Sequence, residues 1–173
     1  MTPCWGDNLP ANFSWLKVNR LAGSARPTSE LELRSLVGLG IRDLVTLSPD
    51  AKPPHCVVRV PGLRWAVIPV QNFHGATPEQ FQTFFDICDR AGIVKDSEGD
   101  SDGEERGSVL VHCYGGNGRT GMFLAAFLMK YNQMSAADAI QAVRSVRPWS
   151  VETRKQEQAL AELEAWLSND NAP

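Results

Sequence analysis

The sequence predicts an α/β fold, a single domain with a mostly parallel central sheet flanked by helices. Three observations predict it. Short β-rich apolar runs alternate with longer segments whose apolar residues recur at helical spacing. Two of those segments begin with recognisable caps. The apolar run Ser108–His112 enters a glycine-rich turn that feeds a helix, the strand–turn–helix unit of parallel sheets. With 173 residues, 43% of them hydrophobic, the chain can build one core and is too short for two comfortable domains.

In chain order, residues 1–12 read as a loose arm, 13–168 as the folded domain and 169–173 as a tail. "RLAGSARP" is a short strand running into a turn. Ser29 and Glu32 have capping-box spacing and open a helix through Leu31, Leu33, Leu36 and Val37, which Gly38 and Gly40 end. "IRDLVTL" is the next strand. Pro49, Pro53, Pro54 and Pro61 mark loop, "LRWAVIPV" is strand again, and "QNFHGAT" is a polar loop. Thr77, Pro78 and Gln80 start a helix that places Phe81, Phe84, Phe85, Cys88 and Ala91 on one face, the pattern of core packing. After the strand "SVLVH" come the helix "RTGMFLAAFLMKYN", a second from Ser135 to about Val146, and a last one ending near Leu167.

Formal net charge is −3, so no overall field recruits nucleic acid or an anionic membrane. The segment Lys95–Gly107, "KDSEGDSDGEERG", holds six acids and two bases. Its composition reads as a solvated loop, or as a docking strip for a basic partner, and it leaves the remainder close to neutral. Cys4, Cys56, Cys88 and Cys113 form no CxxC pair and no zinc-like cluster, so no metal and no cofactor is expected. No apolar run approaches the ~20 residues of a membrane span. The expectation is a cytoplasmic monomer with free thiols, nuclear residence left open.

"VLVHCYGGNGRTG", Val109 to Gly121, carries the chemistry. A cysteine attacks as thiolate, and Cys113 stands at a strand end beneath a helix N-terminus, where backbone N–H groups and the helix dipole favour negative charge. Such sites lower a cysteine pKa from about 8.5 to roughly 3.5–7.5. Tyr114, Gly115, Gly116, Asn117 and Gly118 form the turn whose amides cradle a phosphoryl group. Arg119 offers a planar fork for two of its oxygens. Thr120 can donate its hydroxyl toward the sulfur and help it leave, and His112 can orient the loop through backbone. A nucleophile, an oxyanion cradle and a fixed cation in eight residues point to phosphoryl transfer onto sulfur. The alternative role of Cys113, a small core residue, does not account for the full string His-Cys-x-x-Gly-x-x-Arg-Thr-Gly.

"HCYGGNGRTG" resembles the signature of cysteine-dependent protein tyrosine phosphatases, in particular the small atypical dual-specificity branch of VHZ type. "NFSWLKVNRLAGSARP", "GIRDLVTL" and "RPWSVETRKQEQAL" share the resemblance, so it covers nearly the whole chain outside the termini and the acidic segment. The resemblance implies the protein tyrosine phosphatase-like fold, Cys113 as nucleophile, Arg119 as phosphate clamp and Thr120 as the hydroxyl assisting phosphocysteine breakdown. It places Gln156 beside the hydrolytic water. Glu152 or Thr153 would brace the loop, or simply cap a helix. A phosphorylated protein or a small aryl phosphate is the implied substrate.

One position departs from the family. Counting back from "TPEQF" puts Asn72 where the family carries its general-acid aspartate. An amide cannot protonate a leaving oxygen. Either the alignment is off by a residue or two, or His74 substitutes, or the enzyme is slow by nature or by engineering; Asp50 lies in another loop. General acid catalysis is worth about 10²–10⁴-fold, so the expectation is a slowed phosphatase preferring aryl phosphates such as phosphotyrosine over phosphoserine and phosphothreonine. The alternatives are a phosphate-binding module of pseudophosphatase type, an RNA 5′-triphosphatase and a phosphoinositide phosphatase. Against the last two stand Gly118 directly before Arg119, the absence of basic excess, and a signature loop free of lysine.

Overall fold

Strand alternation and helix caps assemble this chain into a five-stranded sheet between two apolar layers. The computed structural model describes residues 8–94 and 107–170. The strands are β1 (Ser14–Lys17), β2 (Leu21–Ser24), β3 (Ile41–Thr46), β4 (Arg64–Val67) and β5 (Ser108–His112), in the order β1-β2-β5-β3-β4. β1 runs antiparallel to β2 and all other pairs are parallel. The expected mostly parallel sheet is therefore present, with one antiparallel strand at its edge.

Period-two alternation divides the core. Leu21, Val45, Val109 and Val111 face the cluster beneath helices α2 (Pro78–Arg90), α3 (Gly118–Asn132), α4 (Ala136–Val146) and α5 (Arg154–Asp170). Ala22, Leu44 and Leu110 face the other cluster, under α1 (Glu30–Gly38) and a 3₁₀ turn at His55–Arg59. The Phe81, Phe84 and Phe85 stripe of α2 is fully buried. Phe81 and Phe84 meet Phe123 of α3 at centroid distances of 5.0 and 5.4 Å. Each such ring removed from water stabilises the fold by about 1.5–3 kcal/mol.

The caps differ in detail. Thr77 and Gln80 make a reciprocal capping box at α2. At α1, Ser29 accepts from the Glu32 amide, but the Glu32 carboxylate turns back to the Thr28 amide and hydroxyl, so the expected box is half made. Gly40 takes φ +87° just after α1, the left-handed geometry that ends the helix.

Four further features depart from the linear reading. β1 was not expected as a strand, because four half-buried residues carry almost no periodicity. The proline-marked loop contains the 3₁₀ turn. The part of the presumed loose arm that is described is docked: Ala25 N donates to Ala11 O at 2.8 Å. The last helix continues past Leu167 to Asp170. The acidic stretch up to Arg106 lies outside the described residues, as does Cys4.

β5 is central and wholly buried, flanked by β2 and β3. Ser24, Thr46 and His112 stand in register at the carboxyl edge. The crevice beyond that edge is where open α/β sheets bind ligands.

Candidate active site

Between β5 and α3 the chain turns through Cys113–Asn117, and the turn depends on glycine. Gly116 has φ +78°, and a Cβ there would lie 2.5–2.6 Å from the backbone of Ser24 and Ala25. No other residue type fits. At Gly118 a Cβ would collide with the carboxylate of Glu152 and the amide of Gln156.

Cys113 is 4% exposed, and Thr120 Oγ1 donates to its Sγ at 3.2 Å. The sulfur stands at the N-terminal end of α3, whose unpaired N–H groups and dipole attract anions. Behind it runs a buried polar chain. Trp65 Nε1 donates to Thr46 Oγ1 at 2.9 Å, Thr46 Oγ1 lies 2.6 Å from His112 Nε2, and His112 Nδ1 lies 3.2 Å from the Cys113 carbonyl. Burial pushes the His112 pKa down to about 4, against a smaller opposing effect of its bond to Cys113 O. The ring is thus neutral at pH 7. Its single proton belongs on Nδ1, facing the carbonyl, and Thr46 donates to Nε2. The His112 ring is thus tied to the backbone carbonyl at the start of the turn.

Arg119 is 2% exposed, and Nη1 donates to Ser48 Oγ and to Val70 O, both at 3.0 Å. Asp50 Oδ1 stands 3.8 Å away. Ser48 donates to Asp50 at 2.5 Å and, with the Asp50 backbone amide, holds that carboxyl below its ordinary range; Arg119 adds a smaller effect. A pocket of about 170 Å³ opens over these groups, lined by Cys113, Arg119, Tyr114, Asn72, Phe73 and Glu152 among others. Phe73 and Tyr114 stand at its rim, 56% and 65% exposed. Phe73 holds φ +61°, rare for a bulky residue, with its carbonyl accepting from Thr153 Oγ1 at 3.0 Å.

Asn72 faces this pocket, and its Oδ1 accepts from the Phe73 amide at 3.1 Å. His74 does not line it. Its Nδ1 donates to Asn72 O at 2.9 Å and its Nε2 accepts from Lys155 Nζ at 3.2 Å, an arrangement that leaves no proton for a substrate oxygen. Glu152 Oε2 accepts from Gly118 N at 2.9 Å, bracing the turn. Thr153 Oγ1 accepts from Gln156 N at the start of α5 and donates to Phe73 O. Gln156 is fully buried, its Oε1 accepting from Glu152 N at 2.7 Å, while its Nε2 lacks a partner beside Gly118.

Two residues that sequence reasoning missed hold the turn from behind. Arg147 Nη2 donates to Gly116 O at 2.6 Å, and Nη1 reaches Asn12 O, Ser14 Oγ and Gly23 O within 3.1 Å. Asn12 Nδ2 donates to Gly115 O, Gly116 O and the Asn117 side chain. Drawing these carbonyls outward keeps the amides facing the pocket. An arginine before a proline at a helix end looks like a solvated cation, and nothing in the linear sequence links it to Gly116. Among the described residues, no group of three or more His, Cys, Asp or Glu side chains could hold a metal ion, and no helix is long and apolar enough to cross a membrane.

Known proteins share this architecture. A solved structure of Tk-PTP in the active form is 28% identical, with a TM-score of 0.72 over 88% of this chain and 96% of that one. A substituted form of human DUSP28, at 20% identity, shares the fold with a TM-score of 0.72 over 94% and 100% of the two chains. Dual specificity protein phosphatase 1 of Arabidopsis thaliana is 45% identical over 142 residues, 82% of this chain and 62% of that protein. Dual specificity protein phosphatase CDC14B of Mus musculus is 33% identical over 99 residues, 56% of this chain. The chain spans only 18% of that mouse protein's length. The model for PTP-SAK, the Swiss Army Knife protein, DSP-PTPase phosphatase domain, matches residues 10–160, from the segment before β1 into α5. The match takes in every strand and the whole Cys113–Thr120 turn, and the chain belongs to the DSP-PTPase family of phosphatase domains.

Proposed function

We propose that this protein hydrolyses phosphomonoesters through a phosphocysteine on Cys113, favouring phosphotyrosine over phosphoserine and phosphothreonine, and that Asn72 slows it. The observation that carries the reading is the approach of Thr120 Oγ1 to the Cys113 sulfur, at the base of a pocket that Arg119 also lines.

The cysteine sulfur attacks phosphorus while the ester oxygen leaves on the opposite side. Arg119 and the amides of Tyr114–Asn117 hold the three equatorial oxygens, while the Gly118 amide stays on Glu152. The S–P bond forms and the P–O bond breaks; the departing oxygen takes its proton from water, since the amide of Asn72 has none to give. In the second step water attacks phosphorus and passes its proton through solvent to the phosphate product, the S–P bond breaks, and the Thr120 hydroxyl stabilises the emerging thiolate. The unpartnered Nε2 of Gln156 supports a role beside that water.

A missing acid costs about 3–5 kcal/mol of barrier when the leaving group is a poor one. An aryl oxide needs little protonation and loses least. Phe73 and Tyr114 at the rim provide two rings against which an aryl group can pack, which supports the tyrosine preference. Asp50 and His74 are not cast as acids: neither lines the pocket, and the His74 ring nitrogens are both engaged.

Stopped-flow and steady-state kinetics on phosphotyrosine and phosphothreonine peptides test this, comparing wild type with Asn72→Asp. The expected result is a burst with wild type, and an acceleration by Asn72→Asp that is largest for phosphothreonine. Absence of any burst or turnover would favour a phosphate-binding module. Equal rates for the two enzymes on both peptides would remove Asn72 from the acid position.

A further inference from the structure

Between α4 and α5, Val151 takes φ +58° while only 2% exposed. A β-branched residue in the left-handed region is a genuine outlier, and it persists only where its surroundings over-determine it. The chain reverses at this point. Ser150 lies against Gly121 of α3, and Glu152, one residue past the outlier, lines the phosphate pocket.

The two carbonyls that bracket the outlier share one donor. Arg144 Nε donates to Ser150 O at 3.0 Å, and its Nη2 donates to Val151 O at 2.7 Å. The same guanidinium meets Glu157 Oε1 at 3.2 Å, in the first turn of α5. A planar fork of fixed spacing fits both carbonyls in one backbone arrangement and resists others. Arg144 does not line the pocket, and its side chain is 40% exposed.

Immediately after Val151 stand the residues set beside the hydrolytic water. Glu152 Oε2 accepts from Gly118 N at 2.9 Å and Gln156 Oε1 accepts from Glu152 N at 2.7 Å. The unpartnered Gln156 Nε2 lies beside Gly118. Relaxation of residue 151 to the extended region, near φ of about −120°, would turn the Glu152 amide and carboxylate away from both partners.

We propose that Arg144 is a positioning residue for hydrolysis of the phosphocysteine, acting through the left-handed turn at Val151 to place Glu152 and Gln156. The proposal rests on the phosphatase reading above and deepens it by tying the second chemical step to a side chain outside the pocket.

The test compares wild type with Arg144→Ala, Arg144→Lys and Glu157→Ala, at positions exposed enough to spare the core. Two quantities are measured: stopped-flow hydrolysis of p-nitrophenyl phosphate at saturation, and hydrogen exchange of the Gly118 amide. Arg144→Ala is expected to lower steady-state kcat roughly tenfold, the scale of one hydrogen bond from a charged donor, with burst rate and amplitude within about twofold of wild type. The Gly118 amide should exchange roughly tenfold faster. Arg144→Lys should fall between the two, because an ammonium on a flexible stem offers no fixed fork. Glu157→Ala removes the ion pair alone and should match wild type. A burst that shrinks in step with kcat, the signature of a general loosening of the fold, overturns the proposal. So does wild-type kcat in Arg144→Ala, or a Glu157→Ala enzyme as slow as Arg144→Ala. Should wild type turn over no aryl phosphate, the phosphatase reading falls, and the Gly118 amide still decides the role of the fork. Unchanged exchange in Arg144→Ala refutes that role; faster exchange there but not in Glu157→Ala upholds it.

Discussion

Thr120 Oγ1, in the first turn of α3, points its hydroxyl at the Cys113 sulfur from 3.2 Å. Both residues are essentially buried, so this hydrogen bond does not exchange freely with water. Its mechanistic consequence belongs to the second chemical step, in which the sulfur departs with a negative charge. Thr120→Val keeps the shape and removes the donor. Steady-state turnover of p-nitrophenyl phosphate should fall by roughly tenfold, the worth of one buried hydrogen bond to a charged atom. The burst should become more pronounced, because formation of the intermediate is spared. A burst that shrinks in proportion to turnover would place the hydroxyl's contribution in the first step.

Cys113 and Cys88 should separate sharply toward iodoacetate at neutral pH. Cys113 opens into the pocket at the end of α3, whereas Cys88 is sealed among the phenylalanines of α2 and burial pushes its thiol pKa far up. Peptide mapping should find Cys113 carboxymethylated first, with inorganic phosphate slowing the labelling. Cys113→Ser should abolish turnover while still binding phosphate. Residual hydrolysis by that variant would assign the nucleophile elsewhere.

Arg147 serves four acceptors from a site 4% exposed, and burial lowers its pKa from the ordinary arginine value. Arg147→Met leaves those oxygens without their donor. A loss of about 3 kcal/mol in denaturant unfolding is expected. Asn12→Ala removes the bonds to the turn and places alanine at φ +55°, a left-handed backbone that asparagine tolerates better, so it should cost about 2 kcal/mol of stability. Its kcat/KM should fall several-fold. If Asn12→Ala matched wild type in activity, the bracing of Gly115 and Gly116 would have no functional weight.

His112 makes the fold sensitive to acid. Its pKa is about 4 when folded and near 6.5 when exposed. Between those values the unfolded chain binds the extra proton, so stability rises with pH across that window and is lost as pH falls from about 6.5 toward 4. The full contribution is about 3 kcal/mol at neutrality. Urea unfolding at pH 7.0 and 5.0 should show a decline that is shallower in His112→Gln. Parallel declines in the two proteins would mean that other groups govern this range.

Four of the five strands, all five long helices and the Cys113–Thr120 turn were legible because each carries a local signal. β5 is a continuous apolar run, α2 has its cap and its phenylalanine stripe, and the glycines of the turn stand beside the cysteine they serve. β1 was missed because a four-residue strand on the sheet edge is defined by its partner, Leu21–Ser24, rather than by its own pattern. The braces of the site, Asn12, Ser48 and Arg147, lie at sequence distances where no spacing rule operates; only the folded sheet edge gathers them. His74 shows the opposite limit. Its position in the loop made it eligible as an acid, and the contact that disqualifies it comes from Lys155, on another helix.

Asn12 and Arg147, 135 residues apart, close on each other behind Gly116. From that long-range closure the anion cradle is expected to form late in folding. In refolding experiments, helical ellipticity should return before the ability to capture vanadate, because the opening and closing thirds of the chain must first find one another.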